Sequence, residues 1–167
     1  MKSSAAFGAS MNHPARVEEK ILVMASAEFV YRAVSNVRRM GEWSPECLGA
    51  WSWSRQFEPG TWFIGWNRKR LWCWFTSCTV VRAEYARDFA FTVSTFGMPV
   101  ALWGYRFEDQ DGGCLVTEYW EDLRTGRSAP AAKLLGLVFT GTPPKRRPAV
   151  NREGIRATLA RLKAAME

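Results

Sequence analysis

The sequence predicts an α+β fold: a curved antiparallel β-sheet wrapped around one long C-terminal helix. Three observations carry this reading. Ile155, Leu159, Leu162 and Met166 recur at steps of four, three and four, which makes one apolar stripe on a helix from Ala149 to Met166. Between Cys47 and Asp122 alternating segments follow one another across short turns, and strands joined this way pair antiparallel. Most of the nine tryptophans fall between Trp43 and Trp74, a density that means either a heavy core or a lined cavity. A helix with one oily side must bury it, and the aromatic strand region from Trp51 to Trp120 is the only partner long enough.

The elements follow in order. Residues 1–15 are rich in Ser, Ala, Gly and Asn without a period and read as a flexible tail; residues 16–167 form a single domain. Arg16 to Met24 alternates as a first strand. Ser26 caps a helix from Ala27 to Val34, with Phe29, Val30, Ala33 and Val34 as its inner side. Val37 to Trp43 is a second short helix, ended by Ser44-Pro45. Strands are expected at Cys47–Phe57, Thr61–Asn67, Leu71–Ala83, Asp88–Thr95, Ala101–Glu108 and Cys114–Asp122. The turns are Glu58-Pro59-Gly60, Arg68-Lys69-Arg70, a loop with Gly97 and Pro99, and Asp109 to Gly113 with its Asp-Gly signal. Ala131 to Phe139 is apolar, a short helix or a lid within 129–144, and Thr142-Pro143-Pro144 breaks it before the last helix.

Alternation assigns the faces. Phe89, Phe91 and Val93 face inward, as do Trp103, Tyr105 and Phe107, then Val116, Glu118 and Trp120. Glu118 is thus a carboxylate on an aromatic face. It either meets a wet cavity, or pairs with an arginine, or the strand register is one residue off. Thr61, Phe63, Gly65 and Asn67 suit a cavity wall. Trp62, Ile64 and Trp66 then look outward and offer a homodimer contact, unless both faces of that strand are buried. On the next strand Trp72, Trp74, Thr76 and Cys78 are placed inward.

Composition excludes several function classes. His13, in the tail, is the only histidine, so neither a Ser-His-Asp triad nor a multi-histidine metal site can be built; no metal and no cofactor are expected. Cys47, Cys73, Cys78 and Cys114 form no C-x-x-C pair and read as free thiols of a cytoplasmic protein. No apolar run spans a bilayer and no export signal is visible, so stable membrane insertion is not expected. The net charge of +7 comes largely from Arg68-Lys69-Arg70 and Lys145-Arg146-Arg147, short runs without a nucleic-acid-binding motif, so no nucleic-acid partner is expected.

The element order resembles the helix-grip fold of the START-like (SRPBCC) superfamily, which includes the Bet v 1-type proteins and the polyketide cyclase/dehydrase group. The marks are Met40-Gly41-Glu42-Trp43-Ser44-Pro45-Glu46, Gly65-Trp66-Asn67-Arg68, Asp111 to Glu118, and Asn151-Arg152 with Thr158 to Lys163. The chain is most similar to actinobacterial polyketide cyclase/dehydrase-type members, from Arg16 to Glu167. The resemblance implies a cavity for a lipid, sterol, hormone or polyketide, with enzymatic activity in only some members.

The expected function is binding of a hydrophobic small molecule. The lining residues would be Trp43, Phe63, Trp74, Phe91, Trp103, Tyr105 and Trp120, with Asn67, Glu118 and Asn151 orienting a polar end. The alternatives are a polyketide cyclase/dehydrase-type enzyme with Glu118 as general acid or base, and a dimeric interaction module. The aromatic set could equally fill a solid core.

Overall fold

The protein was analysed as a computed structural model, which describes residues 15–69, 71–124 and 146–167. The 1–14 part of the expected tail, Arg70 of the basic turn and the expected lid lie outside the described residues. The order is β1 (Arg16–Val23), α1 (Ala27–Ser35), a 3-10 helix (Val37–Glu42), β2 (Cys47–Trp51), β3 (Trp62–Lys69), β4 (Trp72–Glu84), β5 (Asp88–Thr95), β6 (Met98–Gln110), β7 (Gly113–Asp122) and α2 (Arg147–Met166). Seven strands form one antiparallel sheet in the order β1-β7-β6-β5-β4-β3-β2. The sheet curls around α2, and the fold is the helix-grip α+β architecture.

α2 buries Ile155, Thr158, Leu159 and Leu162 and leaves Arg152, Arg156 and Arg161 in water. Its docking on β1 is pinned at both ends. Glu19 takes Arg152 at 3.2 Å and Arg156 at 3.1 Å, and Lys163 donates to the Leu22 carbonyl at 2.7 Å. α1 starts where Ser26 Oγ accepts from the Phe29 N–H at 3.3 Å.

Several boundaries and faces differ from the sequence reading. Phe29 is 55% exposed; the inner side of α1 is Ala27, Val30, Tyr31, Ala33 and Val34. Tyr31 holds that side by edge-on contacts with Phe89 and Phe107. The strand from Cys47 stops at Trp51, not Phe57, because Arg38 takes the Ser52 and Ser54 carbonyls, each at 2.9 Å, and no neighbouring strand does. Arg68 and Lys69 belong to β3 and not to its turn, and Pro99 lies within β6. Trp72, placed inward by alternation, is 58% exposed, because it stands beyond the end of the packed layer. The inward assignments of Phe89, Phe91, Tyr105, Phe107, Val116, Glu118 and Trp120 match the buried set.

The register of β6 and β7 sets Tyr105 opposite Glu118 and Gly104 opposite Tyr119. A methyl group at Gly104 would run into the Tyr119 phenol and the Ala90 side chain. The phenol is held by Arg82 and Asp88 and cannot swing away cheaply. Gly104→Ala is expected to lower stability by about 1–3 kcal/mol, the usual cost of overpacking. A urea-unfolding midpoint indistinguishable from the parent would count against this tight crossing.

Candidate functional site

A cavity of about 130 Å³ lies between the inner face of the sheet and the first half of α2. Its sheet wall carries Phe63, Gly65 and Asn67 from β3, Trp74, Thr76 and Cys78 from β4, and Phe91 and Val93 from β5. Trp103 and Tyr105 of β6 and Glu118 of β7 complete that wall. Met40 and the stretch Ser44 to Cys47 bound it on one side. α2 contributes Arg147, Val150, Asn151, Gly154 and Thr158.

Space is left because α2 turns two adjacent rows toward the sheet. One is Ile155, Leu159 and Leu162, which pack into the core. The other is Asn151, Gly154 and Thr158, small or polar groups that do not fill the hollow. A methyl group at Gly154 would meet no heavy atom within 4 Å. Across the cavity Gly65 is fitted more closely, since a Cβ there would stand 3.1 Å from Thr76 Oγ1.

Glu118 is 2% exposed, and the Tyr105 hydroxyl donates to its Oε1 at 3.0 Å. Burial drives the Glu118 carboxyl well above the usual carboxylate range, although the Tyr105 hydrogen bond pulls the other way. Burial, with the Glu118 charge beside it, likewise raises the Tyr105 phenol, which stays a donor. Glu118 Oε2 has no hydrogen-bond partner among the described residues, and neither has Asn151 Nδ2. Both are buried and both line the cavity. With Oε1 accepting from Tyr105, the acid proton belongs on Oε2. Among the described residues the lining therefore carries three buried polar atoms without a partner: Glu118 Oε2, Asn151 Nδ2 and Arg147 Nη1.

Several other polar groups of the lining have partners within the protein. Asn67 Nδ2 donates to the Gly65 carbonyl and to Thr76 Oγ1, both at 3.3 Å. Glu46 takes Lys69 and Arg147, each at 3.5 Å. Burial pushes the Cys78 thiol up to about 12 and raises Cys47, so neither is a ready thiolate. Among the described residues no three His, Cys, Asp or Glu side chains gather to hold a metal ion.

Of the residues singled out in sequence, Phe63, Asn67, Trp74, Phe91, Trp103, Tyr105, Glu118 and Asn151 come together on the cavity lining. Trp43 and Trp120 do not. Trp43 is 1% exposed beneath the Arg39 guanidinium, 5.5 Å from its ring, and Trp120 is packed in the core. Both are already enclosed by their neighbours. Sequence reasoning missed Gly154 and Thr158, although both fall at helical spacing from Asn151. It also missed Glu46 and Arg147, for which no periodic signal exists.

Residues 14–167 match the family described as polyketide cyclase / dehydrase and lipid transport, and the chain belongs to it and to the START-like superfamily. The fold is similar to the solution structure of a polyketide-cyclase-like protein from Corynebacterium glutamicum. The two are 27% identical over 94% of this chain and 96% of that one, with a TM-score of 0.54. It is also similar to Ara h 8.0201 at 11% identity, covering 92% of this chain and 97% of that one, TM-score 0.64. The major latex-like protein 151 of Panax ginseng gives 10% identity, 93% and 99% coverage, and again a TM-score of 0.64. No protein of curated function matches the chain in sequence.

A carboxyl raised in the folded state binds a proton that the unfolded chain releases above about pH 4.3. Folding stability from Glu118 therefore falls as pH rises through that window, at up to about 1.4 kcal/mol per pH unit. Glu118→Gln keeps an acceptor for Tyr105 and cannot ionise. The variant is expected to gain stability over the parent progressively from about pH 5 upward. Urea midpoints of both proteins across that range check it; parallel pH curves would contradict the raised carboxyl.

Proposed function

We propose that the cavity binds an uncharged hydrophobic molecule carrying a carbonyl or similar oxygen acceptor at its buried end. The observation that supports this is that Glu118 Oε2 and Asn151 Nδ2, both buried on a largely apolar lining, have no partner among the described residues. A buried donor left unpaired costs about 1–3 kcal/mol, which a ligand oxygen recovers on binding. Trp74, Phe91 and Trp103 supply flat apolar area around it. A carboxylate guest is disfavoured. It would have to shed its own water beside the Glu118 carboxyl, and the cation on the lining, Arg147, is already ion-paired with Glu46. Family membership and the helix-grip neighbours agree with hydrophobic-ligand binding at this coarse level.

The same neutral carboxyl favours a second reading, a polyketide cyclase-type enzyme. Glu118 would give its proton to a substrate carbonyl oxygen and, once ionised, take one from the adjacent carbon. The Tyr105 hydroxyl, already donating to Glu118, would hold that carboxylate in place. One group would then serve as acid and base in turn, so retained turnover in Glu118→Gln would remove this reading.

The binding reading is tested with a matched pair, 2-acetonaphthone and 2-naphthoate, followed by quenching of tryptophan emission. The ketone is expected to saturate one site and to bind at least about tenfold tighter than the acid. Glu118→Leu and Asn151→Leu should each weaken the ketone by about tenfold, one hydrogen bond apiece. Gly154→Phe, which fills the open side of the helix, should abolish binding while circular dichroism is unchanged. Equal binding of ketone and acid, or no saturable site, would overturn the proposal.

A further inference from the structure

The cavity leaves unused an exposed apolar surface at the β3–β4 hairpin. On its outer face Trp62, Trp66 and Phe75 are exposed, and Trp66 and Phe75 are cross-strand partners with ring centroids 5.9 Å apart. Leu71, between the two strands, is 98% exposed, and Trp72 beside it is 58% exposed. On the inner face of β4, exposure climbs from Cys78 at 3% and Thr76 at 8%, through half-buried Trp74, to Trp72. Cys78, Thr76 and Trp74 line the cavity, as does Asn67, the partner of Trp74. The hairpin thus carries apolar groups on both faces and at its tip, and one stripe leads from the cavity wall to that tip.

Charge decides what this surface meets. Arg68 follows Trp66 on the outer face, opposite Cys73, and is exposed without an ion pair among the described residues. The whole chain carries +7. A twofold contact through this face would bring two Arg68 side chains and two basic chains together, which repel. An anionic surface complements them. Indole rings prefer the layer where apolar and wet environments meet, and a lysine or arginine near anionic lipid strengthens attachment by about fivefold each.

We propose that the β3–β4 hairpin docks on an anionic lipid bilayer. Trp66, Leu71, Trp72 and Phe75 enter the interfacial layer, and Arg68 meets lipid phosphates. Docking is peripheral, since no helix among the described residues is long and apolar enough to cross a membrane. It places the hairpin end of the cavity against the lipid. The contact rests on the outer surface and stands whether or not the cavity takes the ligand class proposed above.

The test is cosedimentation of the full chain with vesicles of phosphatidylcholine containing about one third phosphatidylglycerol, at low salt. Binding is expected, at least about tenfold weaker to pure phosphatidylcholine and weakened by added salt. Leu71→Glu, at a side chain with almost no protein around it, should cut binding by about tenfold while 2-acetonaphthone binding is unchanged. Arg68→Glu should weaken only the anionic vesicles. No pelleting with anionic vesicles at low salt would overturn the proposal, and so would full binding by Leu71→Glu. A stable dimer in light scattering that Trp66→Glu dissociates would overturn it too, giving the face to a second copy.

Discussion

The structure depends on how one helix shares its buried side between two tasks. One row of α2 packs Ile155, Leu159 and Leu162 into the core, and this apolar burial holds the helix against β1. The neighbouring row faces the same curled sheet but presents Asn151, Gly154 and Thr158. Nothing in that row can fill the layer that the apolar row closes. The hollow is therefore a property of the sequence of one helix, closed along one row and open along the next.

Glu118 sits where that vacancy meets the aromatic wall. A carboxylate there would face Phe91, Trp103 and Tyr105 with a single hydrogen bond, so the acid form is favoured. The cost is limited because neutral acid and phenol satisfy one another. What remains among the described residues is one unpartnered polar atom each on Glu118, Asn151 and Arg147. An interior with unspent donors and large flat side chains is suited to an oily guest with one oxygen.

Much of the fold was legible because period-two patterns leave a clear trace. Alternation alone assigns Phe89, Phe91, Tyr105, Phe107, Val116 and Glu118 to the inner face, and the ladder register agrees. The failures are local and have physical causes. The aromatic run after Trp51 reads as strand, yet its carbonyls are captured by Arg38 from another element. The inner side of α1 was set one residue wrong, because Phe29 looks more apolar than Tyr31 while Tyr31 makes the ring contacts. In the site, cavity-lining tryptophans could not be told from core tryptophans. Composition is the same for Trp43 and Trp74; only the depth of surrounding atoms differs. Glu46 and Arg147 are brought together by segments about a hundred residues apart meeting in space, which no spacing encodes.

Glu46 lines the cavity while ion-pairing with Lys69 at the end of β3 and Arg147 at the start of α2. One carboxylate thus fastens three segments around the rim. All three side chains keep partial access to water, so each attachment is worth at most about 1 kcal/mol and is softened by dissolved ions. A clasp that weak can part and re-form while the helix stays seated on its apolar row. Entry and exit of a guest would then quicken as ionic strength rises, with the global fold untouched.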